Sequence, residues 1–284
     1  MWTVFLHSLN NNRGAILGWG IGLAVLGGYL VSFYETFGGM EEQLSTLLQS
    51  YPKELFAFFG NFEEIFAPAG FLNTEFFSYM PLILGIYAVL TGCGLLVSDE
   101  ESGILDLVMS YPISRTVYYF RRLLAFVLSI LLILLIAWAG FVIVIPSTPL
   151  EINAFEMAGA FLALFSVVLL FGTTAVLLSM LLPSRRMAAM VAGLLLVASF
   201  FITGLATIDD RLETIAKLSP LNYYQGGEAL NGVNWQWILG LVGFSLLFAI
   251  LTWLAFWRRD IRVGGEGGWG LSRLLLRRNK QPGN

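Results

Sequence analysis

Charge is what this 284-residue sequence has least of: Asp, Glu, Lys and Arg make up 12% of it, against about 25% in an ordinary soluble domain. With 57% hydrophobic residues and a mean hydropathy of +0.76, it holds more apolar surface than a water-soluble fold can hide. It reads as an all-α polytopic membrane protein. A single histidine, His7, stands near the N-terminus, so a Ser/His intramembrane hydrolase has no base. A single cysteine, Cys93, excludes an intrachain disulfide and reads as a small packing residue. No His/Cys/carboxylate cluster has metal-ligand spacing, and no Gly-x-x-x-x-Gly-Lys-Ser/Thr phosphate loop occurs. The expectation is a chain with no catalytic site, no metal and no bound cofactor.

What is present is long apolar runs. A spanning helix needs about 20 apolar residues, and by that measure six spans are expected, over residues 15–33, 76–97, 123–145, 155–182, 187–208 and 237–257. None carries an ionisable residue at its middle, where one costs about 2.5–3.5 kcal/mol and is usually functional. That speaks against a proton- or sodium-coupled carrier. Arg13, Arg115, Arg121, Arg122, Arg185, Arg186 and the basic residues of the 258–284 tail fall on one side of the spans, and only Lys53, Arg211 and Lys217 on the other. Both termini are therefore expected in the cytoplasm. The N-terminus lacks the pattern of a cleavable signal, so the first span is expected to stay. No second domain is expected.

Short amphipathic stretches flank the spans. Met1 to Asn12 suits a helix along the inner interface, and Leu44, Leu47, Leu48, Tyr51, Leu55, Phe58, Phe59 and Phe62 suit one or two interfacial helices on the outer leaflet. The latter read either as a shield for the spans or as a gate. Glu75, Glu156 or Phe76 stands where a cation could be met at the outer mouth. Beyond Asp260 a Gly-rich linker and a short basic-apolar patch suit anionic lipid, and the tail is too short and membrane-proximal for nucleic acid. Gly14, Gly18 and Gly22 recur every fourth residue, as do Ala188/Ala192 and Ala189/Gly193. Such stripes let helices approach closely in lipid, within one subunit or along a seam between two.

Residues 99–115 differ from every other connection. Asp99, Glu100 and Glu101 form an acidic cluster on the otherwise basic side, followed by Gly103. Leu105, Val108 and Met109 then fall at i, i+3 and i+4, with Asp106 off that face. Gly103 permits a sharp turn out of the second span, Pro112 ends the short helix, and Arg115, Arg121 and Arg122 anchor the next span at the inner headgroups. Read by itself, the segment is either an acidic loop or a rigid tip on which a partner protein could push.

The pattern Glu100-Glu101-x-Gly103…Pro112-x-Ser114-Arg115 resembles the cytoplasmic coupling segment of ABC-2-type transporter permeases. Tyr51-Pro52-Lys53-Glu54-Leu55 with Phe59-Gly60, Tyr79-Met80-Pro81-Leu82, Leu218-Ser219-Pro220 and Trp257-Arg258-Arg259-Asp260 resemble further stretches of that family. Two departures stand out: Ile104 where the family usually has Thr, and Arg121 or Arg122 where Lys is common. The resemblance implies a six-span permease subunit of an exporter in the cell membrane, both termini inside, and a pathway without buried charge suits an amphipathic or lipid-like substrate. It implies a second permease subunit, and separate ABC ATPase subunits that carry the ATP and Mg. It makes Glu100, Glu101, Gly103, Leu105, Asp106, Pro112 and Arg115 the ATPase-coupling residues. Gly14, Gly18, Gly22, Ala189 and Gly193 would form the seam between permeases. Two alternatives stay open: a membrane anchor for an ATPase in a non-transport task, and an ATPase-independent channel or structural protein.

Overall fold

The computed structural model describes residues 3–38, 66–105, 110 and 113–258. Helices make up 85% of these and no strand occurs among them. Six are long and apolar enough to cross a membrane, matching the six expected spans. They are α1 (Thr3–Gly38), the pair α2 (Pro68–Leu72) and α3 (Met80–Gly94), α5 (Arg115–Val144), α6 (Ala154–Leu181), α7 (Arg185–Leu205) and α9 (Trp235–Arg258). Two short helices lie between: α4 (Val97–Glu101) and α8 (Glu213–Ala216). The expected outer-leaflet helices over 44–62, residues 106–109 and 111–112 of the acidic segment, and the tail from 259 lie outside the described residues.

The first helix corrects one expectation. Residues 3–12 do not form a separate interfacial helix but continue without a break into the first span. The polar residues that suggested a surface helix find partners inside the bundle: Asn12 Nδ2 donates to Ser129 Oγ of α5 (3.4 Å), and buried Ser8 accepts from Arg122. At about 1.5 Å per residue, 36 residues reach roughly 54 Å, well beyond a hydrocarbon core of about 30 Å.

The second span begins earlier than expected, at Pro68, because a π-turn over Asn73–Phe77 joins α2 to α3. Ser78 holds it, with both its amide (2.8 Å) and its hydroxyl (2.7 Å) donating to the Asn73 carbonyl. Pro81 is tolerated because it sits in the first turn of α3, where the missing N–H has no intrahelical acceptor. The turn between α6 and α7 is as short as the sequence suggested. Ser184 caps α7 by accepting from the Met187 amide (3.2 Å).

α6 is the central helix, with 72% of its apolar window buried. α3, α5, α7 and α9 all pack on it, while α1 packs chiefly on α5. Its start is fixed by a reciprocal capping box, in which Asn153 Oδ1 accepts from the Phe155 and Glu156 amides and Glu156 Oε2 accepts from the Asn153 amide. Asn153→Ala should therefore cost about 1 kcal/mol of stability, the ordinary loss of an N-cap, readable as a fall in the thermal unfolding midpoint in detergent. Glu156 is thus a capping residue, and Phe76 is fully buried in an edge-to-face cluster with Phe77, Phe141 and Phe161. Phe76 therefore does not stand at an open mouth, which corrects the expectation for that residue, while Glu75 and Glu156 stay half-exposed.

Glycines set the closest approaches. A Cβ on Gly140 of α5 would fall 2.5 Å from the Ala24 Cα of α1, one on Gly20 would meet Ile136, and one on Gly27 would overlap the Phe141 ring. A Cβ on Gly92 of α3 would lie 2.6 Å from the Gly172 carbonyl of α6. Real Cβ atoms do not come that near, so only glycine lets these backbones touch. The glycines of α1 that pack within the chain are Gly20, Gly27 and Gly28, not the Gly14/Gly18/Gly22 stripe.

Candidate functional site

The starts of α1, α5 and α7 meet α4 at one face of the bundle, where the first acidic residue of the 99–115 segment is drawn inward. The Asp99 carboxylate pairs with Arg122 and accepts from the Tyr118 hydroxyl. Arg122 Nε donates to the Tyr118 oxygen (3.2 Å) and Nη1 donates to Ser8 Oγ of α1 (3.1 Å). Its guanidinium also lies 5.7 Å from the centre of the Tyr118 ring. The Asp99 and Arg122 side chains are each only 17% exposed. One arginine thus ties α4, α5 and α1 together.

A second arginine adds α7. Arg185 Nη1 donates to Ser98 Oγ of α4 (3.2 Å), and its guanidinium lies against Gly94 at the end of α3, 2.9 Å from where a Cβ would stand. Local sequence explains both placements. Tyr118 and Arg122 are four residues apart on α5 and so share one helix face. Arg185 opens α7 directly after the Ser184 cap. A half-buried ion pair persists only when its remaining donors and acceptors are satisfied, and here Tyr118 and Ser8 provide the partners.

The expected coupling residues are spread around this clamp. Glu100 is buried and Glu101 exposed on α4. Gly103 has φ +72°, a left-handed conformation that favours glycine, and it turns the chain where the sequence demanded a turn. Leu105 is buried at 2% exposure, Arg115 is the first residue of α5, and Asp106 and Pro112 lie outside the described residues. Sequence reading placed Arg122 at the headgroups as an anchor, whereas it turns inward. Asp99 was noted only as part of the acidic cluster, and Tyr118 and Ser8 were not singled out at all. The signal that could have found them was the Tyr118/Arg122 spacing beside an acid that immediately follows an apolar run.

The small-residue stripes divide. Gly14, Gly18 and Gly22 are exposed, and nothing lies within 4 Å of a Cβ added to any of them. Leu17, Ile21, Val25 and Tyr29 continue that outward face. On α7, Ala188 and Ala192 are buried within the chain, while Ala189 and Gly193 are half-buried, and Gly193 likewise has open space about it.

No metal-holding group of His, Cys, Asp and Glu occurs among the described residues. The face opposite the clamp is knitted by backbone partners. Asn73 Oδ1 accepts from the Gly227 amide (2.8 Å), and the Tyr224 hydroxyl donates to the Phe77 carbonyl (3.0 Å). Burial pushes the Tyr224 phenol well above its ordinary pKa, so it stays a donor.

Six apolar helices knit by intramembrane packing define a multi-pass membrane protein of the permease class. The chain belongs to the family described as multidrug efflux system permease Rv1217c, C-terminal domain, whose model matches residues 8–258 and so takes in nearly all of the first span and the whole of the other five. No curated protein matches it.

Proposed function

We propose that the chain is the membrane-spanning subunit of an ABC-2-type ATP-binding cassette exporter, working in the cell membrane with its clamp face in the cytoplasm. The single observation that carries this reading is the Asp99–Arg122–Ser8 connection. It joins the acidic segment directly to the two helices, α1 and α5, that would have to move if a partner pressed from below. A short helix, a left-handed glycine turn and charged exposed Glu101 form a tip without long slack. The basic residues at the starts of α5 and α7 favour the same side for the cytoplasm.

On this reading separate ATPase subunits bind ATP and Mg and dock under α4 and the segment after Gly103. Glu100, Glu101, Gly103, Leu105, Asp106, Pro112 and Arg115 are the coupling residues. A second permease subunit packs against the exposed Gly14/Gly18/Gly22 face of α1 together with Ala189 and Gly193 of α7. The cargo is amphipathic, in keeping with the drug efflux for which the family is described. Purification from native membranes in mild detergent should bring down a stoichiometric ABC ATPase, and its absence after crosslinking would defeat the reading. In the reconstituted complex, Glu101→Lys should abolish stimulation of the ATPase while membrane insertion stays intact. Unchanged stimulation would remove Glu101 from the coupling surface.

A further inference from the structure

Away from the clamp, α6, α7 and α9 line an open apolar cavity of about 640 Å³, bounded at one end by the segment that follows α8. That volume is within the range of about 300–1,000 Å³ typical of small-molecule sites. Along α9 the lining runs from Gln236 to Phe248, about 18 Å at 1.5 Å per residue. Its buried floor is Phe171 and Leu241, and Leu195 and Phe244 form an exposed rim. The one hydroxyl of α6 in the wall, Thr174, is already satisfied by the Leu170 carbonyl (2.7 Å). Gly240 leaves an open stretch of wall, since nothing lies within 4 Å of a Cβ placed there.

The two ends of this cavity differ in chemistry. Among the described residues Lys217 is the only charged one in the lining, and it stands at the α8 end with Gln236, Trp237 and Tyr223. Tyr223 is held in place, its hydroxyl donating to the Lys217 carbonyl (2.9 Å) and its ring edge-to-face with Trp237 at 6.0 Å. Lys217 pairs with Glu213 (2.9 Å), but both side chains are largely exposed, and such i,i+4 surface pairs exchange readily with solvent ions. That pairing raises the Lys217 pKa, so the ammonium is fully protonated at neutral pH.

We infer that this cavity binds an anionic single-chain amphiphile of the long-chain fatty-acid class, with the tail along α9 and the carboxylate at Lys217. The mostly apolar walls match an acyl chain; their polar side chains are Thr174 and Ser199 along the walls and Lys217, Tyr223, Gln236 and Trp237 at the α8 end. The Lys217 ammonium at the mouth, paired only with the exposed Glu213 and with no carboxylate among the described lining residues, selects a negative head and disfavours a cationic one. Binding at this site does not require the chain to be a transporter, so failure to recover an ATPase leaves it untouched.

The test is photolabelling of the full chain in phosphatidylcholine nanodiscs with diazirine-bearing palmitic acid, mapped by peptide mass spectrometry. Label is expected on peptides containing 195–199 and 236–248, competed by palmitate and not by hexadecylamine. Lys217→Gln should reduce it about fivefold, the scale of one exposed charge pair. Gly240→Leu should abolish it by filling the cavity, with the unfolding midpoint unchanged because a Cβ there meets nothing within 4 Å and the rest of the side chain enters open space. Label that survives Gly240→Leu overturns the site. Equal competition by hexadecylamine, or unchanged labelling in Lys217→Gln, overturns the assignment of the anionic head.

Discussion

Gly140→Leu is expected to destabilise the α1–α5 pair by roughly 3 kcal/mol, the upper end for overpacking. A Cβ at this position meets the Cα, Cβ and carbonyl oxygen of Ala24 at 2.5–2.7 Å. Those atoms are mostly backbone, so no rotamer change relieves the clash and the two helices must move apart. Separation would also break the contacts of Gly20 with Ile136 and of Gly27 with Phe141 along the same seam. In lipid, helix association rests on such packing and not on hydrophobic exclusion, so α1 would be held chiefly by its hydrogen bonds to Arg122 and Ser129. Gly18→Leu is the control: with nothing within 4 Å of its Cβ, it should change the unfolding midpoint of the isolated chain by no more than an ordinary surface substitution, about 0.5 kcal/mol. If Gly18 belongs to the proposed seam between permeases, the same substitution should shift the detergent-solubilised dimer to monomer in size-exclusion chromatography with light scattering. Equal destabilisation by both substitutions would contradict the division of the α1 glycines into an inward and an outward set.

Arg122→Ala should cost about 2–3 kcal/mol, somewhat less than the 3–5 kcal/mol for breaking a fully buried ion pair, because both partners keep 17% exposure. The loss comes from what is left behind: an Asp99 carboxylate without its cation and a Ser8 hydroxyl without its donor. Replacing both charges, as Asp99→Leu with Arg122→Leu, should restore most of the stability, since an apolar pair leaves no unmatched charge. The cycle of single and double variants reads the interaction directly. Stability recovered in the double variant without recovery of ATPase stimulation would separate the clamp's transmitting role from its holding role. Full recovery of stimulation would show that α4 follows α1 and α5 through packing alone.

The number of spans was legible because a hydrocarbon core demands long uncharged runs and nothing else in a sequence imitates them. Ala154–Leu181 and Trp235–Arg258 match the expected spans within two residues at each end. The start of the second span was not legible: the π-turn at Asn73–Phe77 depends on Ser78 reaching back to Asn73, a three-dimensional detail. The break expected after Asn12 was misread because polar residues near a helix start resemble a surface helix until their partners on α5 are seen. Gly103 was read correctly because a turn directly after an apolar run leaves few residue types able to make it. The clamp escaped notice for the opposite reason. Asp99, Ser8 and Arg122 are separated by up to 114 residues, and the one local signal, Tyr118 and Arg122 on a shared helix face, does not name partners at that range.

By itself, then, the sequence determined that the chain is a six-span membrane protein with no buried ionisable residue at mid-membrane and one unusual acidic segment. These follow from one-dimensional quantities, the length and polarity of runs, which the bilayer reads directly. Only the tertiary structure decided which glycines of α1 pack inward, that Arg122 faces the bundle interior and not the headgroups, and that α6, α7 and α9 leave a cavity with a single cation at its mouth. Those depend on the rotation of each helix about its own axis. Lipid is as apolar as a packed interior, so hydrophobicity does not fix that rotation; close contact between particular small, aromatic and charged side chains does.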